Sequence, residues 1–191
     1  MEIIRKIGER VRLPVERQLW EVIKVYPGVK EQLEQEDLKI LLLGTDDRFT
    51  LGQILLAETN AQIGLVEPNH DTIEAAHRQL PTSWLPRVRY AEGEFPSRKP
   101  PHYKYNLIIA KHLIHFGNAA GIAQGALQYL SHNGLFLASI PAPFIITTRR
   151  ALKSSTIDIV DELKLSVWFG GTVFVLRPKH SSDLNPFYPS S

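Results

Sequence analysis

The chain of 191 residues contains no cysteine. That absence removes disulfides, thiolate nucleophiles, thiolate zinc fingers and iron–sulfur clusters together. It fits a reducing compartment, so a cytoplasmic location is expected. Long apolar runs are also missing: no segment approaches the ~18 uncharged apolar residues of a membrane span, so no membrane partner is expected. The start, Met1-Glu2-Ile3-Ile4-Arg5-Lys6, lacks the apolar stretch of a signal peptide. Neither sign of charge dominates, with 22 Lys+Arg against 20 Asp+Glu, which argues against a dedicated nucleic-acid binder. There is no Gly-x-x-x-x-Gly-Lys-[Ser/Thr] phosphate loop, no Gly-x-Ser-x-Gly elbow, no internal repeat and no low-complexity tract.

What is present is an ordinary globular composition, 43% hydrophobic and 22% charged, in a length that suits one core. Residues 2–12 read as helical. Pro14 suits the first turn of a second helix, in which Val15, Leu19, Val22 and Ile23 recur at helical spacing beside Trp20 until Pro27-Gly28 ends it. Val29 to Glu36 reads as a short, acidic, solvent-washed helix.

At Leu38 the texture changes. Leu38 to Leu43 is a short apolar run stopped by Gly44, the pattern of a buried strand. Residues 51–57 read as a helix, 63–66 as a strand, 71–80 as a helix, 88–91 as a weaker strand, 105–110 as a clear strand, 119–130 as a helix and 135–140 as a fifth strand. This alternation predicts an α/β fold, a Rossmann-like mostly parallel sheet with helices on both faces. A further helix is expected within 149–163. Residues 165–169 and 172–176, joined by Gly170-Gly171, read as a C-terminal antiparallel hairpin. The expected organisation is an N-terminal helical lid over 1–37, an α/β domain over 38–178 and a loose tail over 179–191.

Ligands of an open parallel sheet bind beyond the carboxyl ends of its strands. Those positions hold Gly44-Thr45-Asp46-Asp47-Arg48, Glu67, Glu92-Gly93-Glu94, Lys111-His112-Leu113-Ile114-His115 and Pro141-Ala142-Pro143. Glu67 follows Gly44 by 23 residues, close to the ~20 at which a nucleoside-binding fold places an acid on ribose hydroxyls. On their own, Asp46, Asp47 and Arg48 fit a solvated helix start equally well, since Asp favours a helix N-terminus. His112 and His115 lie three apart, on one face if their segment is helical, and a neutral imidazole there can take a proton from an acceptor. The same pair also suits capping of local backbone. No third ligand accompanies it, so no metal is expected. His70, His77, His102, His132 and His180 follow no recognisable pattern.

In order and spacing, Leu41-Leu42-Leu43-Gly44-Thr45-Asp46, Val66-Glu67-Pro68-Asn69, Ala91-Glu92-Gly93-Glu94, Tyr105 to Ala110 with His112 to His115, and Leu130 to Leu137 resemble the class I S-adenosylmethionine-dependent methyltransferases from Leu38 to Pro178. Leu42 stands where that family has an acid, Asp46 and Arg48 where it has its second and third glycines, and Asn106 where it has an Asp. The resemblance implies S-adenosylmethionine as cofactor, held by Gly44, Asp46, Glu67, Glu94 and Lys111. His112 and His115 then stand at the acceptor. The alternative is a catalytically degenerate methyltransferase-like fold serving as a binding or scaffolding subunit. A nicotinamide-dependent Rossmann enzyme is a third reading, disfavoured by the missing Gly-x-Gly-x-x-Gly. A small-molecule or protein acceptor is expected, with room for a second copy or a partner subunit. Residues 25–94 carry 6 basic and 12 acidic side chains, and residues 95–191 carry 10 and 4. That asymmetry favours an anionic acceptor if the basic residues cluster.

Overall fold

The computed structural model describes residues 15–178 except 47, 103, 112–117, 154 and 166–170. Two helices, α1 (Val15–Ile23) and α2 (Pro27–Leu33), precede the sheet. Then follow β1 (Lys39–Leu43), α3 (Thr50–Glu58), β2 (Gln62–Glu67), α4 (His70–Gln79), β3 (Val88–Glu92), β4 (Tyr105–Ala110), α5 (Ala119–Leu127), β5 (Leu130–Pro141), α6 (Ile145–Lys153), β6 (Ile157–Lys164) and β7 (Gly171–Pro178). The seven strands lie in the order β3-β2-β1-β4-β5-β7-β6. Strands β1 to β5 pair in parallel, and β7 inserts antiparallel between β5 and β6. This is the expected Rossmann-like sheet with its antiparallel C-terminal pair. It differs from the dinucleotide-binding order 3-2-1-4-5-6, which removes the fold-level basis of the nicotinamide reading.

Alternation along the strands builds two cores. Ile40, Leu42, Ile63, Leu65, Leu107 and Ile109 face Leu19, Trp20, Ile23 and Leu55. Leu41, Leu43, Val66, Ile108 and Phe136 face the other way, onto Ile122, Ala126 and Leu152. Burial on both faces is why these strands read as unbroken apolar runs. Side chains of Asn69 and Asn118 cap α4 and α5, each accepting a helix N–H at 2.9 Å.

Three expectations need correction. The helix expected within 149–163 is α6 at 145–153, and the strand β6 follows it. The first hairpin arm is therefore Ile157–Lys164 and not 165–169; of that span only Leu165 is described. The helix α2 is not solvent-washed on all sides, because Val29 and Gln32 are buried and Gln32 donates to the Asn133 carbonyl at 3.0 Å. The lid expected over 1–37 is described from residue 15 onward, and the tail 179–191 lies outside the described residues.

Candidate active site

The carboxyl ends of β1, β2 and β4 converge on one turn. Gly44 leaves β1 with φ 75°, the left-handed region that favours glycine, and its N–H donates to the Val66 carbonyl at 3.0 Å. The Glu67 carboxylate, buried at the end of β2, accepts the Thr45 N–H on one oxygen and the Asn69 N–H on the other, both at 3.1 Å. The acid is thereby pinned beside the β1 turn, and each oxygen keeps a lone pair for a further donor. Asp46 accepts the Thr50 N–H at 2.9 Å through one oxygen, which starts α3. Its other oxygen lies 3.9 Å from the Lys111 ammonium at the end of β4.

The turn after Gly44 is built without the second and third glycines. Phe49 takes a left-handed φ of 52° and buries its ring completely. Gly52, one turn into α3, makes the space: a methyl there would overlap the Phe49 ring.

Lys111 forms an ion pair with Glu16, from the first turn of α1, 95 residues away in sequence. Both side chains are mostly buried. The rest of α1 is clamped to α3: the Trp20 indole donates to Glu58 at 2.7 Å, and Arg17 and Lys24 pair with the same carboxylate. The Trp20 hydrogen bond, ahead of the two cations, holds the Glu58 carboxyl below its ordinary range.

Two cavities flank the Glu16–Lys111 pair, and both residues line each of them. The cavity at Gly44, Thr45 and Asp46 is about 10 Å³, room for roughly one water. The other, about 160 Å³, lies at the ends of β4 and β5 against Val15, Ser139, Ile140, Pro141 and Leu165. That is close to the ~150 Å³ of an apolar cavity able to admit a benzene ring.

Of the seven residues singled out from the sequence, Gly44, Asp46, Glu67 and Lys111 gather at these strand ends. Glu94 stands exposed beyond β3, and no side-chain hydrogen bond or ion pair joins it to those four among the described residues. His112 and His115 lie outside the described residues. Three contributors were not read from the sequence. Glu16 reaches the site through a long-range pair. Gly52 leaves room for the buried Phe49 ring beside the β1 turn. His70, at the start of α4, bonds through Nδ1 to Glu92 at 2.8 Å, with Glu74 at 3.4 Å. The contact with Glu92 raises the His70 imidazole above its ordinary value. Asn106 bridges β1 and the segment after α2, accepting from Lys39 N–H at 2.8 Å and donating to Gln35 at 2.6 Å.

A mostly parallel sheet with an antiparallel last strand inserted at one end, and a buried acid at the β2 terminus facing the β1 turn, define a Rossmann-like class of α/β fold. Solved structures agree. An S-adenosylmethionine-dependent methyltransferase from Clostridium acetobutylicum superposes with a TM-score of 0.68 at 11% identity, covering 94% of this chain and 98% of that one. A SAM-dependent methyltransferase from Leishmania major gives 0.66 at 19%, covering 85% and 71%. A chain from the complex between the Haloferax volcanii Trm112 methyltransferase activator and a methyltransferase gives 0.61 at 10%, covering 86% and 94%. At these identities the likeness establishes the fold. No protein-family model matches the chain, and no curated protein matches it in sequence.

Proposed function

We propose that the chain is an S-adenosylmethionine-dependent methyltransferase. The observation that carries this reading is the Gly44 turn against the buried Glu67, whose two oxygens are fixed by the Thr45 and Asn69 N–H groups. A carboxylate held in that way accepts both hydroxyls of a ribose diol without having to be ordered first. Asp46 and Lys111 offer an acceptor and a donor of opposite charge to the amino-acid end of the cofactor, and Glu94 stands on the rim proposed for the adenine. When bound, S-adenosylmethionine supplies an electrophilic methyl on a sulfonium sulfur. Ser139 and the apolar walls around it form the proposed acceptor cavity, and His112 and His115 are the proposed proton acceptors. Positioning contributes most, since methyl transfer chiefly requires an in-line approach. The complex of the Haloferax neighbour with an activator supports the possibility of a partner subunit here.

Calorimetric titration with S-adenosylhomocysteine tests the reading. Binding by the unmodified protein, weakened about tenfold or more by Glu67→Ala in a variant that still melts cooperatively, is the expected result. No heat and no thermal shift at millimolar ligand would overturn it and leave the non-catalytic scaffold.

A further inference from the structure

The cavity beside Gly44, Thr45 and Asp46 holds only about 10 Å³, and the Glu16 and Lys111 side chains are among those that line it. The same two residues also line the 160 Å³ cavity. Glu16 comes from the first turn of α1, an element that belongs to neither strand end. Its carboxylate satisfies the ammonium of Lys111, while Asp46 waits at 3.9 Å on the other side. The arrangement holds two acids and one base, with the base already occupied.

We infer that Glu16 is an internal stand-in for a ligand carboxylate: Lys111 exchanges Glu16 for the carboxylate of the cofactor's amino-acid end, and the exchange releases the Glu16 side chain from the strand ends. The inference rests on the cofactor reading above and deepens it. Three points of chemistry support it. Lys111 is a point charge with three donors, so it accepts one carboxylate in place of another with little change in its own geometry. Glu16 is the part of the pair able to withdraw, by rotation of its own side chain, because α1 stays clamped to α3 at Arg17, Trp20 and Lys24 whether or not the Glu16 carboxylate is engaged. Withdrawal of Glu16 also takes away one of the two side chains that line both cavities, so one event makes room for the amino-acid end and opens the cofactor space toward the acceptor space. Occupancy of one site is then coupled to the openness of the other through the position of a single carboxylate.

The consequence is a competition. Glu16 lowers the affinity of any ligand that carries the carboxylate and leaves unchanged that of a ligand lacking it. The test compares S-adenosylhomocysteine with 5′-methylthioadenosine, which has the nucleoside and the thioether but no amino-acid end. Dissociation constants are measured by calorimetry on the full chain, with thermal melts confirming that each variant is folded. Glu16→Gln is expected to tighten S-adenosylhomocysteine about tenfold while 5′-methylthioadenosine stays within about twofold. Lys111→Gln is expected to weaken the first ligand and spare the second. Equal changes for both ligands in Glu16→Gln, no change, or weaker binding of S-adenosylhomocysteine would overturn the inference. Weaker binding would instead make Glu16 a direct partner of the ligand's ammonium. If Glu16→Gln does not fold, the Lys111→Gln comparison still decides, since equal losses for both ligands refute a carboxylate exchange. Failure of the unmodified protein to bind either ligand refutes the cofactor reading itself and is distinguishable from all these outcomes.

Discussion

A single residue holds the β1 turn in two senses. Phe49 adopts φ 52°, which for a bulky side chain costs about 1–2 kcal/mol, and it buries a full ring under Gly52. Burial is the larger effect: losing a phenyl ring from a core costs about 3–5 kcal/mol. Phe49→Gly relieves the strain but forfeits the ring, so a net loss of about 2–4 kcal/mol is expected from urea unfolding. Gly52→Ala tests the same packing from the other side and is expected to destabilise by about 1–3 kcal/mol, because the added methyl must displace a buried ring. His70 supports a prediction at the same scale. Its raised proton affinity comes first from the hydrogen bond to Glu92. The pairing therefore contributes fully below the ordinary value of 6.5 and is lost as pH rises through the raised value. Titration of the His70 ring protons by NMR should give a midpoint above 6.5, falling toward it in Glu92→Gln; a midpoint unmoved by that substitution would contradict the assignment.

The helix α1 is held to α3 through one carboxylate, and its response to acid follows from that. Glu58 is depressed from an ordinary 4.5, first by the Trp20 indole. The contribution is therefore present above about pH 4.5 and disappears as pH falls through the depressed value. Glu58→Gln should cost about 1 kcal/mol at pH 7 and should flatten the acid limb of stability, a difference measurable by denaturation of both proteins between pH 3 and 7. The other elements show what could be read from the residues alone. Strands β1, β2 and β4 were legible because both faces are buried, so Ile40 to Leu43 and Leu107 to Ala110 are apolar throughout. Strand β6 was not. Its run Ile157–Lys164 buries only Ile157 outright and carries Asp158, Asp161 and Glu162, the charged dress of an edge strand, and a register shift between Ile159 and Asp161 breaks its alternation. Mixed charge and apolar residues then resemble a helix. Of the candidate site, Gly44 and Glu67 were legible from spacing. Glu16 was not, because a contact across 95 residues leaves no periodic trace.

Across the whole molecule the sheet order converts sequence halves into spatial halves. Residues 39–92 supply β3-β2-β1 and carry 5 basic and 7 acidic side chains; residues 105–178 supply β4-β5-β7-β6 and carry 6 and 3. The acidic surplus thus falls on the β3 side of the sheet and the basic surplus on the β6 side. The same order makes the last described strand structurally central. Strand β7 follows β6 in the chain yet lies between β5 and β6, and Val173, Phe174, Val175 and Leu176 are each fully buried, alternating between the two cores. At about 1.5–3 kcal/mol for each buried side chain, the four contribute about 6–12 kcal/mol, as much as the ~5–15 kcal/mol that a whole domain has to spare. Removing β7 would also leave the apolar edge of β5 without its ladder partner, an invitation to pair with other chains. A chain ended after Leu165 is therefore expected to show no cooperative thermal transition by circular dichroism and to aggregate. The same five parallel strands would be present in that fragment, so a cooperative melt from it would mean that the parallel sheet is an independent folding unit and that the antiparallel insertion is an accessory to it.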